Sequence, residues 1–199
     1  MDDAATLDTA LCDPVTLEII KGALLSARAE MEALIERTAM SDVIREKKDF
    51  FAGYFDAGGH LITGTPLPLF GHIIQPILDQ YPAETMRPGD LYWYNDCYAT
   101  DGGVSPLDDQ VFAAPVFVDG KLFAWVYNVV HQRELGGVEP GGFVQQAKDV
   151  YSEATFMPPI KIVDRGELRE DVLDMWVRRS RLADLMTLET KAQLAGVQF

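Results

Sequence analysis

Cysteine, histidine and basic charge are all scarce in this sequence. Two cysteines among 199 residues give neither a disulfide framework nor the spacing of a zinc motif, so reduced thiols in the cytoplasm are expected. The net charge of −14 argues against nucleic acid as a partner, because phosphates need a basic face. No stretch is apolar for the length of a membrane span, and the acidic start Met1-Asp2-Asp3 is unlike a signal peptide. The sequence therefore predicts a cytoplasmic protein that binds neither nucleic acid nor membrane.

The composition is typical of a globular domain. Apolar residues make up 48% and charged residues 24% of the chain, and the length is sufficient for a sizeable core. Residues 1–12 are predicted to form a flexible tail, and residues 13–199 a single domain.

Helical patterns lie at both ends of that domain. Asp13 stands at the N-cap position and Pro14 at the first helical position of a helix that runs to about Thr38. Its apolar residues recur at helical spacing and predict a helix that packs on the core: Leu17, Ile20, Leu24, Met31, Leu34 and Ile35. From Leu168 onward a similar pattern predicts one or two further helices. Shorter helices are predicted over Gly71–Tyr81 and Val144–Glu153, and the charged run Ser41–Asp49 is expected to be solvated surface.

Strand patterns fill the centre of the chain. Leu91–Tyr94 is a leucine followed by three aromatic residues and predicts a buried strand. Two apolar runs around Asp119-Gly120 predict a β-hairpin, with strands from Val111 to Val118 and from Lys121 to Val130. Further strands are predicted over Phe50–Asp56, His60–Thr63 and Ile160–Val163. The expected fold is α+β, with a mixed or antiparallel central sheet, flanking helices, a long N-terminal helix and a helical C-terminal segment.

The open end of the predicted hairpin carries side chains that can bind a metal. Asp109 precedes one strand and His131 ends the other, and antiparallel partners bring these positions to the same edge of the sheet. An imidazole and a carboxylate suit a divalent cation. Asp49, just before another strand, is a third candidate ligand. In the alternative interpretation, His131 is a core residue whose ring nitrogens are hydrogen-bonded and which binds no metal.

Other polar residues sit at strand ends and in glycine-rich loops. Asn95 and Asp96 follow the aromatic strand, where they either contribute to a site or form an Asx turn. Glu134 and Glu153 can act as general bases only if burial or a neighbouring charge shifts their pKa. Cys97 has no evident activating group and is interpreted as an ordinary thiol.

Ordered motifs over most of the chain carry a resemblance to a known family. They are Asp13-Pro14-Val15-Thr16-Leu17-Glu18, Asn95-Asp96-x-Tyr98, Gly102-Gly103, Asp109 ahead of Ala-Pro-Val-Phe, Asn128-x-x-His131-x-x-Glu134-x-Gly136-Gly137 and Met157-Pro158-Pro159-Ile160-Lys161. In this order they resemble the N-terminal part of the hydantoinase B/oxoprolinase family, whose chains are considerably longer. The resemblance implies catalytic roles for Asp96 and Glu134, and substrate binding by Asn95, Tyr98 and Glu153.

The resemblance also implies a metal site with one departure from the family pattern. Members that bind a metal carry a histidine three residues before the aspartate that aligns with Asp109, and here that position is Pro106. The divalent ion implied at Asp109, His131 and Asp49 (Mn, Zn or Mg) would therefore lack one ligand, unless Asp108 or Asp101 replaces it.

The function implied by the resemblance is a B-type subunit of an ATP-dependent cyclic-amide hydrolase. An A-type partner would bind ATP and phosphorylate the small-molecule substrate, because this chain has no phosphate-binding loop. The partner and this chain would form a hetero-oligomer. Two alternatives stay open: a subunit of an ATP-dependent ketone carboxylase, of the acetone or acetophenone type, and a non-catalytic assembly subunit.

Overall fold

The computed structural model describes residues 12–67, 71–142 and 144–198. The predicted flexible tail lies outside the described residues, except for Cys12, which is exposed. The helices are α1 (Pro14–Thr38), α2 (Asp42–Arg45), α3 (Gln75–Gln80), α4 (Val150–Glu153), α5 (Glu170–Val177) and α6 (Ala183–Gln198), with a 3₁₀ turn over Ala83–Thr85. The strands are β1 (Phe50–Asp56), β2 (Leu61–Gly64), β3 (Leu91–Tyr94), β4 (Asp109–Val118), β5 (Lys121–His131), β6 (Ile160–Asp164) and β7 (Glu167–Leu168).

The seven strands form one sheet in the order β2-β1-β5-β4-β3-β6-β7. Every neighbouring pair is antiparallel. The predicted α+β fold with flanking helices is therefore confirmed. None of the described helices combines the length and the apolar character that crossing a membrane requires.

Both faces of the sheet are covered, which explains why its central strands are apolar on both sides. Along β3, Trp93 packs with Phe112 and with Trp176 of α5 on one face. Tyr92 and Tyr94 point to the other face, into a cluster that α3 and its flanking segment complete. Because successive strand residues alternate in direction, a strand covered on both faces is buried at every position, and all four residues of β3 are buried.

Helix α1 begins and ends where the sequence predicts, but it does not pack on the core along its length. The Asp13 carboxylate accepts hydrogen bonds from the amides of Val15 and Thr16 and so caps the helix. Only Met31 and Ile35 are buried. The prediction of a core-packing helix is therefore wrong for the N-terminal half, because the sheet and α6 reach only the C-terminal half.

Two shorter helices begin later than their patterns predict. Gly71 has a positive φ of 66° and lies against the backbone of Thr100 and Gly103, so α3 begins at Gln75. The Asp149 side chain caps α4 by accepting a hydrogen bond from the Ser152 amide, so α4 begins at Val150. The charged run Ser41–Asp49 also contains more structure than expected, since α2 lies within it and buries Ile44.

Candidate functional site

The predicted meeting of Asp109 and His131 occurs at the open end of the β4–β5 hairpin. The two residues are direct register partners, and His131 Nδ1 lies 3.1 Å from Asp109 Oδ1. The His131 backbone amide donates a hydrogen bond to the carbonyl oxygen of Asp49, which directly precedes β1. Ends of three adjacent strands thus bring Asp49, Asp109 and His131 to one edge of the sheet.

These three residues line a cavity of about 250 Å³. Its remaining walls come from the start of β1, from Leu67 and from the loop that precedes β4, including Gly102, Gly103 and Ser105. The two glycines belong to the motifs that carry the family resemblance, but their place in the cavity wall was not predicted. Asp49 is exposed, Asp109 is half-buried and His131 is buried, so the imidazole forms the inner part of the site.

Burial and nearby carboxylates act in opposite directions on the His131 imidazole. Burial alone would lower the pKa of His131, but the hydrogen bond to Asp109 and the charges of Asp108, Asp109 and Asp49 outweigh it and raise the pKa above 6.5. For Asp109, burial outweighs the hydrogen bond to His131, and the pKa of the carboxyl is raised. The site therefore favours a protonated imidazole near neutral pH more than water does.

Asp108 is the buried carboxylate behind this pair. Its side chain is 1% exposed, and its Oδ1 has no hydrogen-bond partner. Burial raises the pKa of Asp108 to about 6, although the charge of His131 opposes the shift. Gly142 lies directly against the carboxylate, where a Cβ would come within 1.9 Å of Oδ1. A buried carboxyl with a shifted pKa is a frequent feature of functional sites.

The donor set does not fit a complete three-ligand metal centre. Within residues 12–67, 71–142 and 144–198, no three His, Cys, Asp or Glu side chains form a metal-binding group. Pro106 offers only its carbonyl oxygen, which accepts a hydrogen bond from the Asp109 amide, and Asp101 is exposed in its turn. Among the described residues, the structure therefore shows one imidazole–carboxylate contact and not a full set of metal ligands.

Asn95 and Asp96 are engaged in the backbone structure that surrounds the site. The Asn95 amide donates to the carbonyl oxygens of Leu107 and Thr155 and accepts from the Met157 amide, so it joins three segments. Asp96 accepts hydrogen bonds from the amides of Tyr98 and Ala99, which is the Asx turn that the sequence left as an alternative. These contacts favour positioning over direct chemistry for both residues.

Tyr98 and Glu153 belong to a second cavity, of about 380 Å³. Tyr98 is 72% exposed and its ring meets that of Phe156 edge-on at 6.0 Å. Ser105 lines both this cavity and the one that holds Asp109 and His131, so the two cavities are neighbours. Two of the three predicted substrate-binding residues, Tyr98 and Glu153, thus lie next to the pair in a separate cavity, whereas Asn95 lines neither cavity.

Glu134 ties the glycine-rich loop to the junction between α5 and α6. Its carboxylate accepts hydrogen bonds from Gly136, Ser180 and Arg181. Burial alone would raise the pKa of Glu134, but these hydrogen bonds outweigh it and the pKa lies below its usual range. A carboxylate held in this way is a poor general base near neutral pH, so the contacts favour a structural role over the catalytic one predicted.

A larger cavity, of about 660 Å³, is lined by neighbours of these residues, including Gly136, Thr155 and Phe156. It is lined by side chains such as Tyr81, Phe156 and Trp176, with Arg169 and Arg179 beside them. None of the predicted site residues lines it. The volume of a cavity alone therefore does not identify the candidate site. The candidate site is identified by the titratable side chains that lie close together in it.

The fold and the site together define an α+β domain with a carboxylate–imidazole pair at one edge of its sheet. The chain belongs to the hydantoinase B/oxoprolinase family, whose model matches residues 13–199. It is 31% identical over 173 residues to caprolactamase subunit beta of Pseudomonas jessenii, which covers 85% of this chain and 29% of that subunit. It is 34% identical over 150 residues to the acetophenone carboxylase delta subunit of Aromatoleum aromaticum, which covers 73% of this chain and 22% of that subunit.

The solved structures agree with this assignment. The crystal structure of ATP-dependent caprolactamase from Pseudomonas jessenii superposes with a TM-score of 0.84 at 27% identity, covering 94% of this chain and 33% of that one. The chain thus spans about a third or less of the relatives it matches. The two sequence relatives are named as subunits of a caprolactamase and of a carboxylase.

Proposed function

We propose that this chain is the B-type subunit of an ATP-dependent cyclic-amide hydrolase. It would open a ring whose amide an ATP-binding A-type partner has phosphorylated. The observation that carries the proposal is the Asp109–His131 pair, set 3.1 Å apart in a cavity beside a second, substrate-sized one. The similarity to caprolactamase subunit beta supports the reaction class. A small-molecule substrate, a hetero-oligomer and a cytoplasmic location belong to the same proposal.

His131 is the proposed general base. An imidazole held by a carboxylate can take a proton from a water molecule as that water attacks the activated ring carbon. Asp109 fixes the imidazole and stabilises the charge that it acquires. Because the pKa of His131 is raised, the neutral base becomes available only as the pH rises through that pKa, and turnover should rise with it.

The divalent ion (Mn, Zn or Mg) stays a prediction, and it is an alternative to the general-base role of His131, because one nitrogen of the imidazole contacts Asp109 and the other cannot bind a metal and accept a proton at once. Asp109, His131 and Asp49 would hold it, and the ion would polarise the substrate or activate water. These three side chains do not form a metal-binding group in the described part of the chain, so at least one further ligand would have to come from outside them. The catalytic roles of Asp96 and Glu134, and the substrate-binding roles of Asn95, Tyr98 and Glu153, also stay predictions.

A ketone carboxylase subunit is the second candidate. Two observations favour it: the 34% identity to the acetophenone carboxylase delta subunit and the incomplete donor set beside Pro106. In this alternative the partner would form an enol phosphate, which then takes up a carboxylate group.

Reconstitution with the A-type partner tests both candidates. The complex would be assayed for ATP turnover with cyclic amides (hydantoin, 5-oxoproline, caprolactam) and, separately, with ketones plus bicarbonate. Ring opening that depends on ATP supports the hydrolase, and carboxylation supports the second candidate. His131→Ala should abolish turnover, whereas His60→Ala serves as the matched control because His60 is exposed in the β1–β2 turn and pairs with Asp56.

The same preparations decide the metal prediction. Elemental analysis of wild type and His131→Ala should show bound metal only in the wild type if the pair holds an ion. Turnover that survives both His131→Ala and Asp109→Asn would overturn the site and leave an assembly subunit as the role of the chain.

A further inference from the structure

The first half of α1 exposes large apolar side chains to solvent. Leu17 is 54% and Ile20 48% exposed, and all residues from Pro14 to Ala23 are exposed. A surface helix normally turns its apolar residues toward a neighbouring element and only its polar residues toward water. A run of exposed apolar residues of this kind marks an interaction surface.

The exposed residues continue the buried stripe of the same helix. Because an α-helix turns about 100° per residue, Leu17, Ile20 and Leu24 lie within roughly 40° of the line through Met31 and Ile35. Met31 and Ile35 are buried, Leu24 is half-buried, and Leu17 and Ile20 are exposed. We call Leu17, Ile20 and Leu24 the α1 stripe. It extends about 20 Å beyond Met31, past the last element that covers the helix.

Helix α6 shows how the buried part of the line is covered. The Ser41 amide donates to Glu189 Oε1 at 2.8 Å, and Gly196 lies against Ile35, where a Cβ would come within 3.3 Å of Cγ1. Residue 189 of α6 neighbours residue 41, and residue 196 neighbours residue 35. Residue numbers therefore rise along α6 while they fall along its partner. The two helices are therefore antiparallel, and the axis of α6 points along α1 toward the exposed stripe.

We propose that the α1 stripe binds one amphipathic helix that lies antiparallel to α1 and in line with α6. The helix would come from polypeptide outside the matched segment in the longer relatives, and the direction of α6 points to the part that follows that segment. Two observations select this occupant: the direction of α6, and the match to only 29% of caprolactamase subunit beta, which leaves most of that subunit outside the matched segment. This inference does not depend on the proposed reaction.

A peptide-binding experiment with the 199-residue chain tests the proposal. The probe is a fluorescent synthetic peptide of about 20 residues, long enough to cover the stripe, with the sequence that directly follows the matched segment in caprolactamase subunit beta. Fluorescence anisotropy should show saturable binding. Leu17→Glu with Ile20→Glu should weaken it by about tenfold or more, because two large apolar contacts are lost. Hydrogen exchange over residues 17–24 should slow when the peptide binds.

The same helix provides a matched control. Val15 and Ile19 are 70% and 67% exposed and lie on the opposite face of α1, so Val15→Glu with Ile19→Glu should leave peptide affinity within about twofold, since it removes no contact to the stripe. All four residues are exposed, so neither variant should lower the melting temperature. Equal losses in both variants, or no binding at millimolar peptide, overturn the proposal. A dimer of the chain that dissociates on Leu17→Glu with Ile20→Glu also overturns it, because a second copy would then be the occupant.

Discussion

The two ends of the β4–β5 hairpin are built from similar residue types and behave differently. At the turn, Asp119 and Gly120 take positive φ angles of 50° and 75°, the conformation that a tight hairpin turn requires, and both are exposed. At the open end, Asp108 and His131 are buried. One aspartate is solvated, and the other is held in the interior beside a histidine.

The difference shows how each end of the hairpin affects the free energy of folding. A solvated turn aspartate keeps its hydration, so turn geometry alone accounts for it. A buried carboxyl with an unpartnered oxygen lowers stability, and a group of this kind is more frequent at functional sites than elsewhere. The open end of the hairpin is therefore the place where charge has been retained against its free-energy cost.

After the loss of turnover expected for His131→Ala, the largest expected effect is the loss of turnover in Asp109→Asn. The substitution removes the charge that holds His131, so we expect activity of the complex to fall about a hundredfold or more. The pKa of His131 should also fall, because one of the contributions that raise it is lost. The acid limb of the pH–rate profile should then move to lower pH. Asp119→Asn at the turn is the matched control, and a similar loss from it would remove the distinction between the two ends.

Asp108→Asn should raise the free energy of unfolding at neutral pH. The pKa of Asp108 is raised from 3.8 to about 6, so the folded protein binds more protons than the unfolded chain between these values. Stability is therefore lost as the pH rises through this window, and the full cost applies above it. A permanently neutral side chain should recover on the order of 3 kcal/mol above the window and almost nothing below it. Urea denaturation at both ends of the window measures this, and an equal gain at each pH would indicate a packing change instead.

At the turn end, Gly120→Ala should cost about 1 kcal/mol. Gly120 has a positive φ, but no atom lies within 4 Å of the position of an added Cβ. The cost is therefore conformational, without a steric clash. Thermal unfolding measures it, and turnover of the complex should not change. A loss of turnover would show that the two ends of the hairpin are coupled.

The smallest effect is expected for Phe123→Thr, near the turn in β5. Phe123 is 63% exposed and is the unpaired residue of β5 at the irregular pairing beside Val116/Phe117. A surface substitution there should change the free energy of unfolding by less than about 0.5 kcal/mol. Urea denaturation of the isolated chain checks this. A loss of several times that size would show that Phe123 packs against other residues of the fold.

Much of the hairpin and its site can be predicted from local pattern. Asp119-Gly120 between two apolar runs predicts the turn, and antiparallel pairing then brings Asp108 and Asp109 to the same edge of the sheet as His131. The irregular pairing at Val116/Phe117, which the pattern does not predict, makes Asp109 the direct partner. The contacts of Asn95 and Glu134 cannot be predicted in this way. Asn95 reaches Thr155 and Met157, and Glu134 reaches Ser180 and Arg181, across separations that only packing of the whole chain can set.

The sequence by itself determined the elements whose cause is local. The Asp13 cap of α1, the alternation of β3 and the Asp-Gly turn depend on residues within a few positions of one another. Only the tertiary structure decided which of these elements are covered. It buried Asp108, joined Glu134 by hydrogen bonds to Ser180 and Arg181 and left Leu17 and Ile20 in solvent. Burial and contacts of this kind depend on which distant segments pack against a residue.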